Sequence, residues 1–329
     1  MTDIPIESTR ARRPAAPGSA LPFVLVIGSA LAYGIVASMT GQIAQLSWDG
    51  IMGLLQRMVA LGVVSIGQTF VIIVGSIDLS LAHLISLGAI VAAFVMQGDP
   101  SLIWLGILAA ILVGIVVGCV NGLLVTLLKV NPLIATLGTG LILQGILTTS
   151  YGTMQATAPT DYRALAYDSI GGVPYALLLL AAIGIIAAFI LRRTVAGARI
   201  YSVGGNPISA RLAGIRTDRV VLAAHIVSGA CAAATGLYLA SRLGTATPWV
   251  GANGGYGLDS IAVVVIGGTL LAGGKGGVSG TLAGVFLFAT IDAVFNMLQI
   301  DPFLGQVLRG AVVVLAVAYH SVRQKGHIA

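Results

Sequence analysis

The stretch LIWLGILAAILVGIVVGCVNGLLVTLL, Leu102 to Leu128, contains no charged side chain and one amide, Asn121. At 1.5 Å of rise per residue, about 20 helical residues cover a hydrocarbon core of about 30 Å, so this stretch crosses a bilayer with residues to spare. Comparable runs occupy most of the chain: Leu21–Gly41, Ile51–Val74, Leu79–Met96, Pro132–Ser150, Pro174–Leu191, Val220–Ala240, Leu258–Leu271, Gly280–Leu298 and Phe303–Tyr319. With Leu102–Leu128 they predict an all-α polytopic membrane protein of ten transmembrane helices, both termini on one side. The short alternating segments of a membrane barrel are missing, so helices are the elements expected.

Composition agrees. Of 329 residues 57% are hydrophobic and 9% charged, and mean hydropathy is +1.01, too little polar surface for a water-soluble globule. The 44 glycines point to closely packed, interrupted helices. Cys119 and Cys231 lie inside apolar runs and imply no disulfide. A net charge of +6 and pI near 9.6 do not imply nucleic acid, because the basic residues gather at the ends of the apolar runs.

That distribution gives an orientation. With the N-terminus cytoplasmic, all but Arg57, Arg163, Arg242 and Arg309 of the 17 Lys and Arg residues fall on the cytoplasmic side, an N-in, C-in topology. Residues 1–20 then form a cytoplasmic tail, 21–320 the membrane domain and 321–329 a second cytoplasmic tail. Arg12 and Arg13 ahead of an apolar run superficially match a twin-arginine export signal, but no soluble passenger follows. Between the halves, LLKVNPLIATLGTG at Leu127–Gly140 aligns without gaps on MLQIDPFLGQVLRG at Met297–Gly310, pairing Pro132 with Pro302 and Gly140 with Gly310. With five spans per half the copies run in opposite directions, an inverted repeat of the kind used for alternating access. An Asx-Pro pair is also simply a good helix start.

One segment, 192–219, breaks the apolar pattern, and GGNPISARLAGIRTDR at Gly204–Arg219 within it reads as a complete short helix. After Gly205, Asn206 caps, Pro207 takes the first helical position, and Gly214 supplies a left-handed stop. Ile208 and Leu212, four apart, with Ile215 following, give one apolar side with Arg211 beside it, as in a helix laid into another protein's groove.

Three acids, Asp78, Asp259 and Asp292, sit in or against apolar spans, where a charge costs about 2.5–3.5 kcal/mol at the bilayer centre. Asp78 in GSIDLS and Asp259 in GYGLDS are helix-start acids for which capping is the simplest use; Asp292 has no evident partner. His83, His225, His320 and His327 lack ligand spacing, so no metal site is expected. No nucleophile motif or phosphate loop appears, and GGKGG at Gly273–Gly277 lacks the Walker spacing, so no catalytic residue is assigned. Gln68, Asn121, Gln144 and Asn296 are polar groups in apolar spans: candidates for a translocation path, or for helix-to-helix hydrogen bonds.

Taken in order, GSIDLS at Gly75, NGLLVTLLKVNPLIATLGT at Asn121, YSVGGNPISARLAGI at Tyr201 and GYGLDSIAVVVIGGTLLAGGKGGVSGT at Gly255 resemble the permease subunits of bacterial ABC importers for ribose, xylose and arabinose, over roughly Val59–Ala318. The resemblance implies a multi-pass inner-membrane protein working as a homodimer. Its partners would be separate cytoplasmic ATPases, which bind the ATP and Mg, and a periplasmic or lipid-anchored solute-binding protein. It also implies that Asn206–Gly214 is the helix that couples to the ATPase, and that this chain holds no cofactor. Arg57, Arg242 and Arg309, near the outer face in this topology, are candidates to meet the binding protein, or else anchors for helix ends among headgroups. The chain departs from the family in Leu81 and Ala82 after GSIDLS, where Val-Gly is usual. Gly257 stands where an acid is common, and Ala198 splits the Gly-Arg pair before the coupling helix. Two other classes remain at this stage: an ion-coupled transporter with Asp78, Asp259 and Asp292 as relay, and an intramembrane enzyme. Nucleosides, sugar alcohols and branched-chain amino acids are alternative cargoes.

Overall fold

The computed structural model describes residues 20–150, 157–301, 303–311 and 314. The expected N-terminal tail up to residue 19, the end of the last expected span and the C-terminal tail lie outside them. The described chain is mostly helical. In order come α1 (Leu21–Met39), α2 (Trp48–Ile73), α3 (Leu81–Met96), α4 (Ile103–Thr126, entered through a 3-10 turn at Pro100–Leu102) and α5 (Pro132–Ser150). After the one-turn α6 (Ala164–Tyr167) follow α7 (Tyr175–Arg193), α8 (Val195–Gly205), α9 (Pro207–Leu212) and α10 (Thr217–Leu243). The one-turn α11 (Val250–Asn253), α12 (Tyr256–Ile266) and α13 (Val278–Met297) precede a helical run at 303–311.

Among the described residues seven helices, α1, α2, α4, α5, α7, α10 and α13, are long and apolar enough to cross a membrane. Two expected spans come out shorter. α3 begins only at Leu81, because 75–80 is an irregular break, and α12 stops at Ile266, where a glycine-rich turn takes over. Of the expected span Phe303–Tyr319, the described residues 303–311 and 314 are helical.

The centre of the bundle is α10, which packs against α2, α3 and α4. On α4 the buried positions include Gly106, Ala110, Gly114, Gly118, Gly122 and Thr126, one small residue every fourth position. A methyl added at Gly114, Gly118 or Gly229 would collide with a facing backbone carbonyl across the α4–α10 crossing. In lipid, where apolar burial gives helices little reason to associate, such close backbone approach supplies the packing. The remaining faces of α4, α5 and α7 expose large apolar side chains such as Leu112, Val116, Ile142, Ile185 and Phe189, as lipid-facing helices do.

α1 packs on α13, and α13 also meets α2 and α12. At one end of the bundle a small antiparallel hairpin, Ser169–Ile170 with Val173–Pro174, turns through Gly171 and Gly172, both at positive φ. It is tied down by Trp48 Nε1 donating to the Gly172 carbonyl at 3.3 Å. α8 and α9 occupy the opposite end. The two sequence repeats share a local conformation: the aligned Lys129 and Gln299 both have φ of 54°, and Asn131 and Asp301 each accept from backbone N–H groups just after the proline.

Candidate functional site

α9 is built as its residues require. Asn206 Oδ1 accepts from the N–H groups of Ile208 and Ser209 at 3.0 and 2.9 Å, and Pro207 takes the first helical position. Gly214, at φ 80°, ends the helix, and the N–H of Ile215 reaches back to the Ala210 carbonyl at 3.0 Å. Ile208 and Leu212 are 73% and 85% exposed, so two large apolar side chains stand free on one side of a six-residue helix. Ala210 is buried beneath the helix, and Ile215 turns inward onto the core rather than extending the exposed apolar side. Arg211 donates to Thr217 Oγ1 at 3.2 Å, which ties α9 to the start of α10.

This end of the molecule is joined to the bundle through backbone. Gly204, at the end of α8, lies so close to the Ile73 carbonyl and to Gly274 that no side chain fits. The N–H of Gly274 donates to the same Ile73 carbonyl at 2.8 Å. Tyr201 donates its hydroxyl to the Gly276 carbonyl at 2.9 Å, and burial raises its pKa above the ordinary tyrosine value, keeping it a donor. Arg192 bonds Ser279 Oγ at 2.8 Å. The GGKGG turn is therefore a clasp between α8, the end of α2 and the start of α13.

Directly beyond Ile73 lies the break 75–80, and there the fold gathers polar groups with no access to solvent. Asp78 Oδ1 accepts from the Ser80 N–H and hydroxyl at 3.0 and 2.7 Å, while Oδ2 accepts from Ser228 Oγ at 3.3 Å and lies 3.8 Å from His225 Nδ1. His225 Nε2 and Ser76 Oγ are 2.9 Å apart, Asn121 Nδ2 donates to Ser80 Oγ at 2.8 Å, and Thr136 Oγ1 accepts from the Leu79 N–H at 3.0 Å. α4, α5 and α10 thus each contribute to holding one non-helical segment. Asp78 stabilises the turn before α3 through Ser80, while α3 itself has no side-chain cap. Sequence reasoning singled out Asp78 and Asn121, weighed His225 only as a metal ligand, and passed over Ser76, Ser80, Thr136 and Ser228. The available signal was a fully polar alternation, Ser76-Asp78-Ser80, inside an apolar chain.

Toward the other end Arg309 bridges two carboxylates, Asp259 at 3.1 Å and Asp292 in a short contact. This supplies the partner that Asp292 lacked and commits Arg309 within the chain. α12 starts on Gly255 without a side-chain cap, and Asp259, in its first turn, faces Arg309 instead. Arg57 and Arg242 are exposed; Arg242 Nη1 approaches the Tyr238 hydroxyl at 3.4 Å. The four path candidates are not brought together: Gln68 and Asn121 are fully buried, whereas Gln144 and Asn296 lie on the surface. Neither side-chain amide atom of Gln68 has a hydrogen-bond partner.

Residues 50–317 match the family described as the permease component of the branched-chain amino acid transport system. The chain belongs to this permease family. Among its relatives, the ribose import permease protein RbsC of Haemophilus influenzae is 35% identical over 82% of this chain and 84% of its own length. RbsC of Bacillus subtilis is 36% identical over 81% and 83%. The L-arabinose transport system permease protein AraH of Escherichia coli is 35% identical over 80% of each chain. No solved structure matches this permease. Its role is transport, and with seven helices among the described residues long and apolar enough to cross a membrane it is a multi-pass inner-membrane protein.

Proposed function

We propose that this permease is the membrane subunit of a binding-protein-dependent ABC importer that moves a monosaccharide of the ribose or arabinose class inward, working as a homodimer. Relatives named for those sugars support the cargo over branched-chain amino acids, nucleosides or sugar alcohols. Ten spans in two inverted five-helix halves, N-in and C-in, are the architecture; the matching backbone at Lys129 and Gln299 supports the repeat and the distribution of arginines supports the orientation. ATP and Mg are handled by separate ATPase chains.

The observation that carries the mechanism is the backbone contact of Gly204 with Ile73 and Gly274. α9, with Ile208 and Leu212 exposed, fits a groove on the ATPase, and its motion passes through α8 to the end of α2. Because no side chain intervenes, the displacement reaches the 75–80 break without being absorbed by rotamer changes. The polar groups around Asp78 give that break a defined resting geometry, from which the outward and inward arrangements of the bundle alternate. At the opposite face Arg57 and Arg242 are candidates to meet the binding protein. An ion-coupled mechanism has less support, since Asp259 and Asp292 share Arg309 and Asp78 is engaged with Ser80 and Ser228.

The test is Arg211→Glu and Leu212→Asp in the complete importer. Both variants are expected to insert normally, to retain the ATPase at least tenfold more weakly, and to lose ATP-dependent uptake in proportion. Wild-type ATPase retention and uptake in both would exclude α9 as the coupling element.

A further inference from the structure

Beside α9, a groove of about 510 Å³ runs between α8, the 213–216 turn and the first two turns of α10. Arg199, Arg216 and Arg219 line it, and none of the three makes an ion pair or side-chain hydrogen bond among the described residues. Three neighbouring cations are otherwise engaged: Arg211 with Thr217, Arg192 with Ser279, and Lys129 with Asp218 at 3.0 Å. That last pair also occupies the acid that stands nearest in sequence to the three free arginines.

Between the arginines the lining is apolar, with Ile200, Ile215, Val220 and Ala223. Along α10, Arg216, Arg219, Val220 and Ala223 fall on one side of the helix, basic at its start and apolar one turn further into the span. Guanidinium groups matched to a phosphate, then an apolar surface continuing toward the hydrocarbon, is the profile of one amphiphile seated at headgroup depth. A soluble phosphate has no use for the apolar lining, and the volume exceeds what it fills.

We propose that this groove binds an anionic phospholipid, its phosphate held by Arg199, Arg216 and Arg219 and the start of its acyl chains lying on Ile200, Val220 and Ala223. The lipid would brace α8 against α10 and so set the angle at which α9 leaves the membrane surface.

The full chain, purified in mild detergent and supplied with phosphatidylglycerol or phosphatidylcholine, is read by native mass spectrometry. Retention of phosphatidylglycerol is expected to fall at least tenfold in Arg199→Gln/Arg216→Gln/Arg219→Gln, and to stay unchanged in the charge-matched tail variant Arg10→Gln/Arg12→Gln/Arg13→Gln. Ala223→Trp, which fills the groove and keeps every charge, is expected to lose the lipid as well. Equal loss in the tail variant would reduce the effect to general electrostatics and overturn the proposal. So would unchanged retention in the groove variants, or complete displacement of the lipid by millimolar inorganic phosphate. Release of the ATPase by the groove variants with lipid retention intact would make the groove a protein interface, which also overturns it.

Discussion

Asp78 shows how a single intramembrane acid is accommodated. Its two oxygens serve Ser80 and Ser228, and removing both acceptors leaves buried hydroxyls with nothing to donate to. Each unsatisfied buried group costs about 1–3 kcal/mol. Asp78→Leu is therefore expected to destabilise the protein by about 3 kcal/mol or more, against about 1 kcal/mol for Asp78→Asn, which keeps an acceptor toward Ser80. Thermal melting of the purified variants checks this; equal stability of the two would mean that the polar contacts contribute little. The acid itself was legible in GSIDLS, but its surroundings were not. Asn121, Thr136, His225 and Ser228 come from three other helices, and nothing local in their sequence neighbourhoods marks them as meeting. The same holds for Arg309, whose position near a helix end suggested an outward contact and whose two carboxylates lie 17 and 50 residues away in the chain.

At the level of elements, apolar run length was informative and break points were less so. α4 and α5 follow directly from Leu102–Leu128 and Pro132–Ser150, since an uncharged helix of that length has one stable environment. α3 and α12 came out shorter because glycine-rich and Ser-Asp segments at their ends satisfy their backbone by tertiary contacts, which composition does not reveal. α9 was readable almost residue by residue, because capping and termination are local. The inward turn of Ile215 was not, since it depends on the core beneath. The glycine stripe on α4 gives a direct comparison. Gly118→Ala puts a methyl against the His225 carbonyl and is expected to cost about 2–3 kcal/mol of overpacking. Gly138→Ala on α5, with nothing within 4 Å, is expected to be neutral or slightly stabilising. Equal melting temperatures for the two variants would argue against a backbone-to-backbone α4–α10 contact.

For the whole molecule, orientation is the property on which the functional reading turns. In a background lacking Cys119 and Cys231, Ser202→Cys on α8 and Ser169→Cys on the hairpin lie at opposite ends of the bundle, both exposed. A membrane-impermeant maleimide is expected to label position 169 in intact cells and position 202 only after lysis. The reverse pattern would put α9 outside and remove the ATPase from consideration as its partner. The central position of α10 also has a consequence in time. α4 leaves the ribosome more than a hundred residues before α10 is complete, which at about 5–20 residues per second is roughly ten seconds. Throughout that interval Gly114, Gly118 and Gly122 of α4 lack the helix they pack on, and Ser76 and Asp78 lack the His225 and Ser228 side chains that α10 brings. The first half of the permease must therefore wait in the membrane without its central helix, and it is during this wait, more than in the finished protein, that quality-control proteases have their opportunity.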